Sequence, residues 1–229
     1  MTAIVLVPGL MCTPQFYAAQ LPSLWRAGSV QFANHTRDEA MSDIARRILG
    51  EAPQRFALAG HSMGGYVALE MLRQAPQRIE RVALLDTSAL PDAAEQSERR
   101  QKLIELASQG RYGDVADQLY PNLVHPARRD DAELREAVRQ MARDTGAAAF
   151  IRQERAIMGR ADSRPTLAEV RCPALVLVGE QDALTPPERA EEIAQGIAGA
   201  VKVVVPDCGH MSAMERPEGV TAALERWLA

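Results

Sequence analysis

The sequence has 229 residues, of which 47% are hydrophobic and 24% are charged, values typical of a soluble globular protein. Its 26 Lys and Arg residues against 30 Asp and Glu residues give a net charge of −4. This balance argues against nucleic acid binding, which requires a strongly basic face. No apolar run approaches the ~20 residues that span a bilayer, so we expect no membrane segment.

The first part of the chain alternates short apolar runs with helical patterns. The apolar runs predict buried strands at residues 3–7, 30–33, 56–59 and 82–85. Apolar residues at helical spacing predict helices over residues 38–50 and 63–75. Strands that alternate with helices in this way are typical of a parallel sheet covered on both faces.

The pattern of apolar and charged residues changes between residues 91 and 169, where strand-like runs are absent and charged helical patterns dominate. Strand-like runs return at 175–178 and 201–205, and a helix is predicted at 217–228. The sequence therefore predicts an α/β core formed by residues 1–90 and 170–229. A helical cap, residues 91–169, is inserted in the same domain before the fifth of about six mainly parallel strands.

Residues 60–64 read Gly-His-Ser-Met-Gly and lie between a predicted strand and a predicted helix. Gly-x-Ser-x-Gly in this context is the nucleophile elbow, in which a strained turn lifts the serine hydroxyl above the sheet. Given the frequencies of Gly and Ser in the chain, roughly 0.04 such matches are expected by chance. We therefore interpret Ser62 as a nucleophile.

A serine nucleophile needs a histidine base, and the chain has four histidines. The chain order typical of this elbow is Ser, then an acid, then His, which favours His210 in the loop after the last strand. His61 lies inside the elbow and cannot turn back onto Ser62. His35 is predicted to be a loop residue, and His125 a surface or cap residue.

The acid that orients the histidine has two main candidates, both at strand ends. Asp182 follows the strand at 175–178 and precedes the strand before His210, so it is preferred. Asp86 follows the strand at 82–85 and is the alternative. Asp207 and Glu180 are weaker candidates in the same loops.

The developing oxyanion needs two hydrogen-bond donors. The backbone amide of Met63, directly after the nucleophile, is the first candidate, and the amide of Leu10 in the loop after the first strand is the second. Cys12 lies in the same loop, but it lacks a base of its own and is interpreted as a small buried residue.

Signals for other chemistry are absent from the sequence. There is no Gly-x-Gly-x-x-Gly after a strand, no P-loop, and no Cys or His pair at metal-ligand spacing. We therefore expect no cofactor and no metal. Three cysteines are too few for a disulfide framework, and the first residues lack signal-peptide features, so we expect a cytoplasmic protein.

The chain resembles the α/β-hydrolase fold superfamily over essentially its whole length. The resemblance rests on Val5-Leu6-Val7-Pro8-Gly9, the elbow, Gly179-Glu180-Gln181-Asp182 with Thr185-Pro186, and Cys208-Gly209-His210 with Glu215-Arg216-Pro217. It is most similar to the branch of small bacterial esterases, enol-lactonases and C–C bond hydrolases. The resemblance implies Ser62 as nucleophile, Asp182 as acid, His210 as base, and Leu10 and Met63 as oxyanion donors.

Two departures from the family pattern stand out. The first loop has Pro8-Gly9 where the family usually has His-Gly, which affects the expected position of the Leu10 amide. The chain also begins at the strand that precedes this loop, without the additional strands that members of the family often carry.

The function expected from these residues is cleavage of a small carboxylic ester, thioester or lactone by a serine hydrolase. One alternative is a C–C bond hydrolase or lyase acting on a carboxylated metabolite, with Arg152 and Arg155 as candidate cap groups. Another alternative is a ligand-binding receptor on the same scaffold. The partner is a small-molecule substrate, and the chain is compatible with a monomer or a homodimer. Candidate pocket residues are Met11, Tyr112, Tyr120, Phe150 and Met158.

Overall fold

A single all-parallel sheet forms the centre of the protein. The structure is a computed structural model that describes residues 2–229. Over these residues six strands are present: β1 (Ile4–Val7), β2 (Val30–Phe32), β3 (Phe56–His61), β4 (Ile79–Leu85), β5 (Ala174–Gly179) and β6 (Val201–Val205). They pair in the order β2-β1-β3-β4-β5-β6, and every pair is parallel. The predicted α/β fold class is confirmed.

Helices lie between successive strands and after the last strand. Between β1 and β4 they are α1 (Leu21–Ala27), α2 (Met41–Glu51) and α3 (Met63–Gln74). Between β4 and β5 they are α4 (Ala94–Ser108), α5 (Tyr112–Leu123), α6 (Ala132–Thr145), α7 (Ala147–Met158) and α8 (Arg164–Leu167). The last are α9 (Pro187–Gly196), α10 (Ser212–Glu215) and α11 (Pro217–Leu228). None of the helices within residues 2–229 has the length and apolar content required to cross a membrane.

Alternate residues of the four inner strands, β1, β3, β4 and β5, pack against helices on opposite faces of the sheet. Val5 and Val7 of β1 belong to one apolar core with α2, α3 and α9. Ile4 and Leu6 belong to a second core with α1 and α11. Because both faces are covered, β1, β3 and β5 are buried along their whole length, which explains their continuous apolar sequences.

Three helices, α1, α9 and the four-residue α10, have no counterpart in the sequence predictions, and α1 and α9 are the longer two. These two helices share a narrow buried face. Each buries only two residues on its apolar face: Ser23 and Leu24 in α1, and Ala190 and Ile193 in α9. An apolar face this narrow produces too little periodicity to be recognised from sequence.

Helix α3 packs very closely against the carboxyl end of β1. A Cβ atom added to Gly64, the second residue of α3, would lie 2.1 Å from the Val7 carbonyl oxygen. The second residue of α5, Gly113, has no neighbour within 4 Å of the same position. The two glycines occupy equivalent helix positions in different packing environments.

We predict that Gly64→Ala lowers the free energy of unfolding by about 2 kcal/mol or more, because the added methyl group overpacks the contact with β1. Gly113→Ala is the matched control, and it should leave this free energy unchanged or raise it by ~0.5–1 kcal/mol. Urea unfolding followed by circular dichroism measures both. Equal effects of the two substitutions would contradict the packing argument.

Candidate functional site

Ser62 occupies the strained turn between β3 and α3. Its backbone has φ 53° and ψ −115°, a conformation that costs a non-glycine residue of order 1–3 kcal/mol. The chain on either side of the turn approaches itself so closely that a Cβ atom on Gly60 would lie 2.2 Å from the Gly64 carbonyl oxygen. The structure thus has the local geometry that the Gly-x-Ser-x-Gly pattern predicts, and Ser62 lines a cavity above the sheet.

Asp182 and His210 are brought together by the loops after β5 and β6. The Asp182 carboxylate accepts a hydrogen bond from His210 Nδ1, with 2.7 Å between the atoms. It also accepts hydrogen bonds from the Leu184 and Thr185 amides at 2.8 and 3.0 Å and from the Thr185 hydroxyl at 2.7 Å. His210 and Ser62 line the same cavity.

The charge state of this pair follows from burial and from the contact itself. Burial opposes the charge on Asp182, but His210 and the hydrogen-bond donors outweigh it and lower the pKa of the carboxyl. Burial likewise opposes the imidazolium form of His210, but Asp182 outweighs it and raises the pKa of the imidazole. Asp182 is therefore the ionised partner, and it stabilises a proton on His210.

Asp86, the alternative acid, makes different contacts. It accepts a hydrogen bond from the Gly179 amide at 2.9 Å, and it hydrogen-bonds with the Ser212 hydroxyl. Burial, with a further contribution from Asp182, raises the pKa of this carboxyl well above its usual range. Asp86 thus links β4 to β5 and to the segment after His210, and it has no hydrogen bond to His210.

The two weaker acid candidates lie further from the site. Asp207 has a side chain that is 72% exposed and lies beside Arg216 at 3.6 Å. Glu180 is exposed and accepts a hydrogen bond from the Gln181 side chain. Neither carboxylate has a hydrogen bond to His210 within residues 2–229.

Two buried side chains hold the His210 loop in place, and the sequence patterns assigned neither of them this role. His61 Nε2 donates a hydrogen bond to the His210 carbonyl oxygen at 2.9 Å, and burial lowers the pKa of His61 to about 3, so the ring is neutral. Glu215 accepts hydrogen bonds from the amides of Gly209 and Met211 at 3.0 and 3.2 Å. The signal available in the sequence for the second contact was a Glu five residues after the histidine, and the structure shows that it is buried.

The candidate oxyanion donors are backbone amides with no protein acceptor. Neither the Leu10 nor the Met63 amide donates a hydrogen bond to another group within residues 2–229. The loop that carries Leu10 is fixed from two sides. His35 Nε2 donates to the Gly9 carbonyl oxygen at 2.9 Å, and Gln153 of α7 accepts a hydrogen bond from the Met11 amide at 3.3 Å.

The cavity above Ser62 has a volume of about 490 Å³ and lies between the sheet and helices α4, α5, α6 and α7. Its apolar wall is formed by Leu side chains and other aliphatic groups: Leu10, Met11, Leu103, Leu119, Val138 and Ile157. A cavity of this size and character accommodates a small organic molecule.

Four of the five predicted pocket residues lie elsewhere, which corrects that part of the sequence prediction. Only Met11 lines the cavity. Tyr112 and Phe150 pack against each other with ring centroids 5.3 Å apart in the core of the cap. The Tyr120 hydroxyl donates to backbone carbonyls of the cap, and Met158 is the last residue of α7.

Arg152 and Arg155, the candidate cap groups for a carboxylated substrate, also face away from the cavity. Arg152 donates to the Thr36 carbonyl oxygen at 2.9 Å. Arg155 forms an exposed ion pair with Glu39 at 3.0 Å. Charged residues that line the cavity instead belong to a buried network that the sequence did not indicate.

A buried network of ion pairs joins the cap helices next to the cavity. The Arg100 guanidinium contacts Asp92 at 2.6 Å and Glu154 at 2.7 Å. Arg160 contacts Asp92 at 2.6 Å and lies 4.2 Å above the Tyr66 ring. Because the network links the start of α4 to α7 and to the core helix α3, it fixes the position of the cap over Ser62.

The sequence matches a known protein family over almost its whole length. The model of the alpha/beta hydrolase family matches residues 4–223. The chain belongs to this family. The resemblance recognised in the sequence is therefore confirmed.

Solved structures and a curated protein support the same assignment. An esterase from Thermogutta terrifontis is 31% identical, with a TM-score of 0.92 over 100% of this chain and 89% of that chain. The enol-lactonase from Burkholderia xenovorans is 25% identical, with a TM-score of 0.90 over 99% and 91%. The pimeloyl-[acyl-carrier protein] methyl ester esterase of Aromatoleum aromaticum is 26% identical over 97% of this chain and 96% of that protein. This alpha/beta hydrolase is thus similar to proteins that cleave ester and lactone bonds.

Cys12 lines the same cavity as Ser62. Burial raises the pKa of the Cys12 thiol to about 12, so at neutral pH it is a protonated, weakly nucleophilic group. Cys208 is fully buried, whereas Cys172 is partly exposed. Among residues 2–229 no group of three or more His, Cys, Asp or Glu side chains is arranged to hold a metal ion.

We predict that the native protein reacts with at most one equivalent of Ellman's reagent at pH 8, at Cys172, because only this thiol is accessible. The same titration in guanidinium chloride should reach three equivalents, which serves as the control. Rapid modification of Cys12 in the native state, located by mass spectrometry, would contradict the burial of this thiol.

Proposed function

We propose that this alpha/beta hydrolase is a serine hydrolase that cleaves a small carboxylic ester, thioester or lactone through an acyl-enzyme. The observation that carries the proposal is the 2.7 Å hydrogen bond between Asp182 and His210 beside the cavity that Ser62 lines. A nucleophile, a base and an orienting acid at the carboxyl ends of β3, β6 and β5 form the arrangement that acyl transfer requires.

The acylation step uses all of these residues. Ser62 Oγ attacks the substrate carbonyl carbon while His210 Nε2 accepts the hydroxyl proton. Asp182 holds the proton on Nδ1 and stabilises the imidazolium that forms. The new negative charge on the carbonyl oxygen is stabilised by the amides of Leu10 and Met63. His210 then donates its proton to the leaving alcohol or thiol as the bond to the acyl carbon breaks.

Deacylation repeats the same proton transfers with water as the nucleophile. His210 accepts a proton from the water that attacks the acyl carbon, and it returns this proton to Ser62 as the acid is released. In a lactone the leaving oxygen stays joined to the acyl group, so a single hydroxy acid is released.

Relatives named for ester or lactone cleavage and the apolar character of the cavity both support this chemistry. Two similar structures are an esterase and an enol-lactonase. Both names denote cleavage of the single bond between an acyl carbon and an ester or ring oxygen. The aliphatic wall of the cavity, which includes Leu119, Val138 and Ile157, is suited to the hydrocarbon part of a small ester. The buried positions of Asp182 and His210 exclude bulk water from the proton-transfer pair.

We predict that Asp182→Asn lowers kcat for p-nitrophenyl butyrate by about 10³–10⁴-fold, because the amide no longer holds the required tautomer of His210. The residual activity should also lose the wild-type pH dependence. In the wild type, kcat/KM should fall as the pH drops through a His210 pKa that lies above 6.5, since the protonated imidazole cannot act as a base.

Asp86→Asn is the matched control, because an amide can accept from the Gly179 amide and donate to Ser212 in place of the carboxyl. It should retain kcat within about tenfold. A larger loss from Asp86→Asn than from Asp182→Asn would contradict the assignment of the acid. Undiminished hydrolysis by Ser62→Ala would contradict the proposed function itself.

A further inference from the structure

The charged side chains around the cavity are mostly basic. Five arginines and two carboxylates line it, an excess of three positive charges, whereas the whole chain carries a net charge of −4. A cleft with this local field attracts anionic ligands in preference to neutral ones.

The buried part of this charge is already balanced within the protein. Arg100 and Arg160 contact Asp92 and Glu154 at 2.6–2.7 Å, so two positive and two negative groups neutralise each other. The remaining three arginines lie at the mouth: Arg99 of α4, Arg164 of α8 and Arg189 of α9. Carboxylates outside the cavity lining offset part of their charge.

Arg99 differs from the other two arginines of the mouth. Arg164 pairs with Asp162 at 2.5 Å, and Arg189 lies 3.6 Å from Glu192. No carboxylate within residues 2–229 lies within 4.0 Å of the Arg99 guanidinium. Arg99 is thus the cation of the cavity whose charge is not matched by an acidic neighbour.

Helix α4 places a second donor and an apolar group beside Arg99. Gln96, Arg99 and Leu103 are spaced three and four residues apart, and all three line the cavity. The side-chain oxygen of Gln96, Oε1, accepts a hydrogen bond from the Ala93 backbone amide at 2.9 Å. This contact fixes the side-chain amide and leaves its NH₂ group as a donor. One face of α4 therefore presents two anion-binding groups, followed by an aliphatic side chain.

We propose that Arg99 and Gln96 form a subsite for a carboxylate of the substrate, distant from the bond that is cleaved. This inference rests on the proposed function. The preferred substrate is then a half-ester of a short dicarboxylic acid, whose methylene chain passes Leu103 and whose ester carbonyl reaches Ser62. The guanidinium group binds a carboxylate with two parallel hydrogen bonds, a geometry that a lysine cannot match.

The test compares two p-nitrophenyl esters with five-carbon acyl groups, the half-ester of glutaric acid and the ester of pentanoic acid. The readout is the ratio of their kcat/KM values, which cancels differences in enzyme concentration and in the chemical step. The wild type should favour the half-ester. Arg99→Glu should lower the ratio by about tenfold or more, chiefly through KM, and Arg99→Lys should lower it by a smaller factor.

Arg37→Glu is the matched control, since Arg37 is an exposed arginine that does not line the cavity and the substitution changes the net charge equally. It should leave the ratio unchanged. The subsite is overturned if the wild type does not favour the half-ester, if Arg99→Glu leaves the ratio unchanged, or if Arg37→Glu lowers it as much. Ser62-dependent hydrolysis of the pentanoate ester would in these cases still uphold the proposed function. If neither ester is hydrolysed, the proposed function fails, and the subsite fails with it.

Discussion

The close packing of α3 against β1 and β3 is the constraint on which the site depends. Ser62 has a backbone conformation that a serine does not adopt without support, with φ 53°. The support is the contact of Gly64 with the Val7 carbonyl and of Gly60 with the first turn of α3. Because no side chain larger than hydrogen fits at these contacts, the sheet and helix hold the serine at the edge where the other strands also end. The favourable packing of the core thus offsets the energetic cost of the strained backbone at Ser62.

A second layer of buried polar groups fixes the loop that carries His210. His61 holds its carbonyl, Glu215 holds the neighbouring amides, and Asp86 contacts the segment that follows. Within residues 2–229, Asp182 is the carboxylate that hydrogen-bonds to the imidazole, and the Thr185 hydroxyl lies 3.4 Å from the same ring nitrogen. The pKa values of the two aspartates move in opposite directions, since Asp182 faces a cation and backbone donors, whereas Asp86 is buried beside another carboxyl. Such a separation is expected where similar groups have different roles.

The fold class could be predicted from the sequence, and so could the positions of the polar residues that directly follow the strands. Continuous apolar runs are a strong local signal, and the turns after β3, β5 and β6 place Ser62, Asp182 and His210 at one edge of the sheet. The cavity could not be predicted in this way. Its lining depends on how the cap helices pack, so Tyr120 and Phe150 proved to be interior residues of the cap. The network around Arg100 was equally hidden, because its partners are 8 and 54 residues away in the chain.

The most direct test of the account is the reaction of the native protein with a fluorophosphonate, which forms a covalent adduct with an activated serine. Digestion with trypsin releases residues 56–73, in which Ser62 is the only serine, so tandem mass spectrometry can locate the adduct. The account predicts one adduct per chain on this peptide, and none in the Ser62→Ala variant. An adduct on a different peptide, or labelling that persists in the variant, would contradict the assignment of Ser62 as the nucleophile.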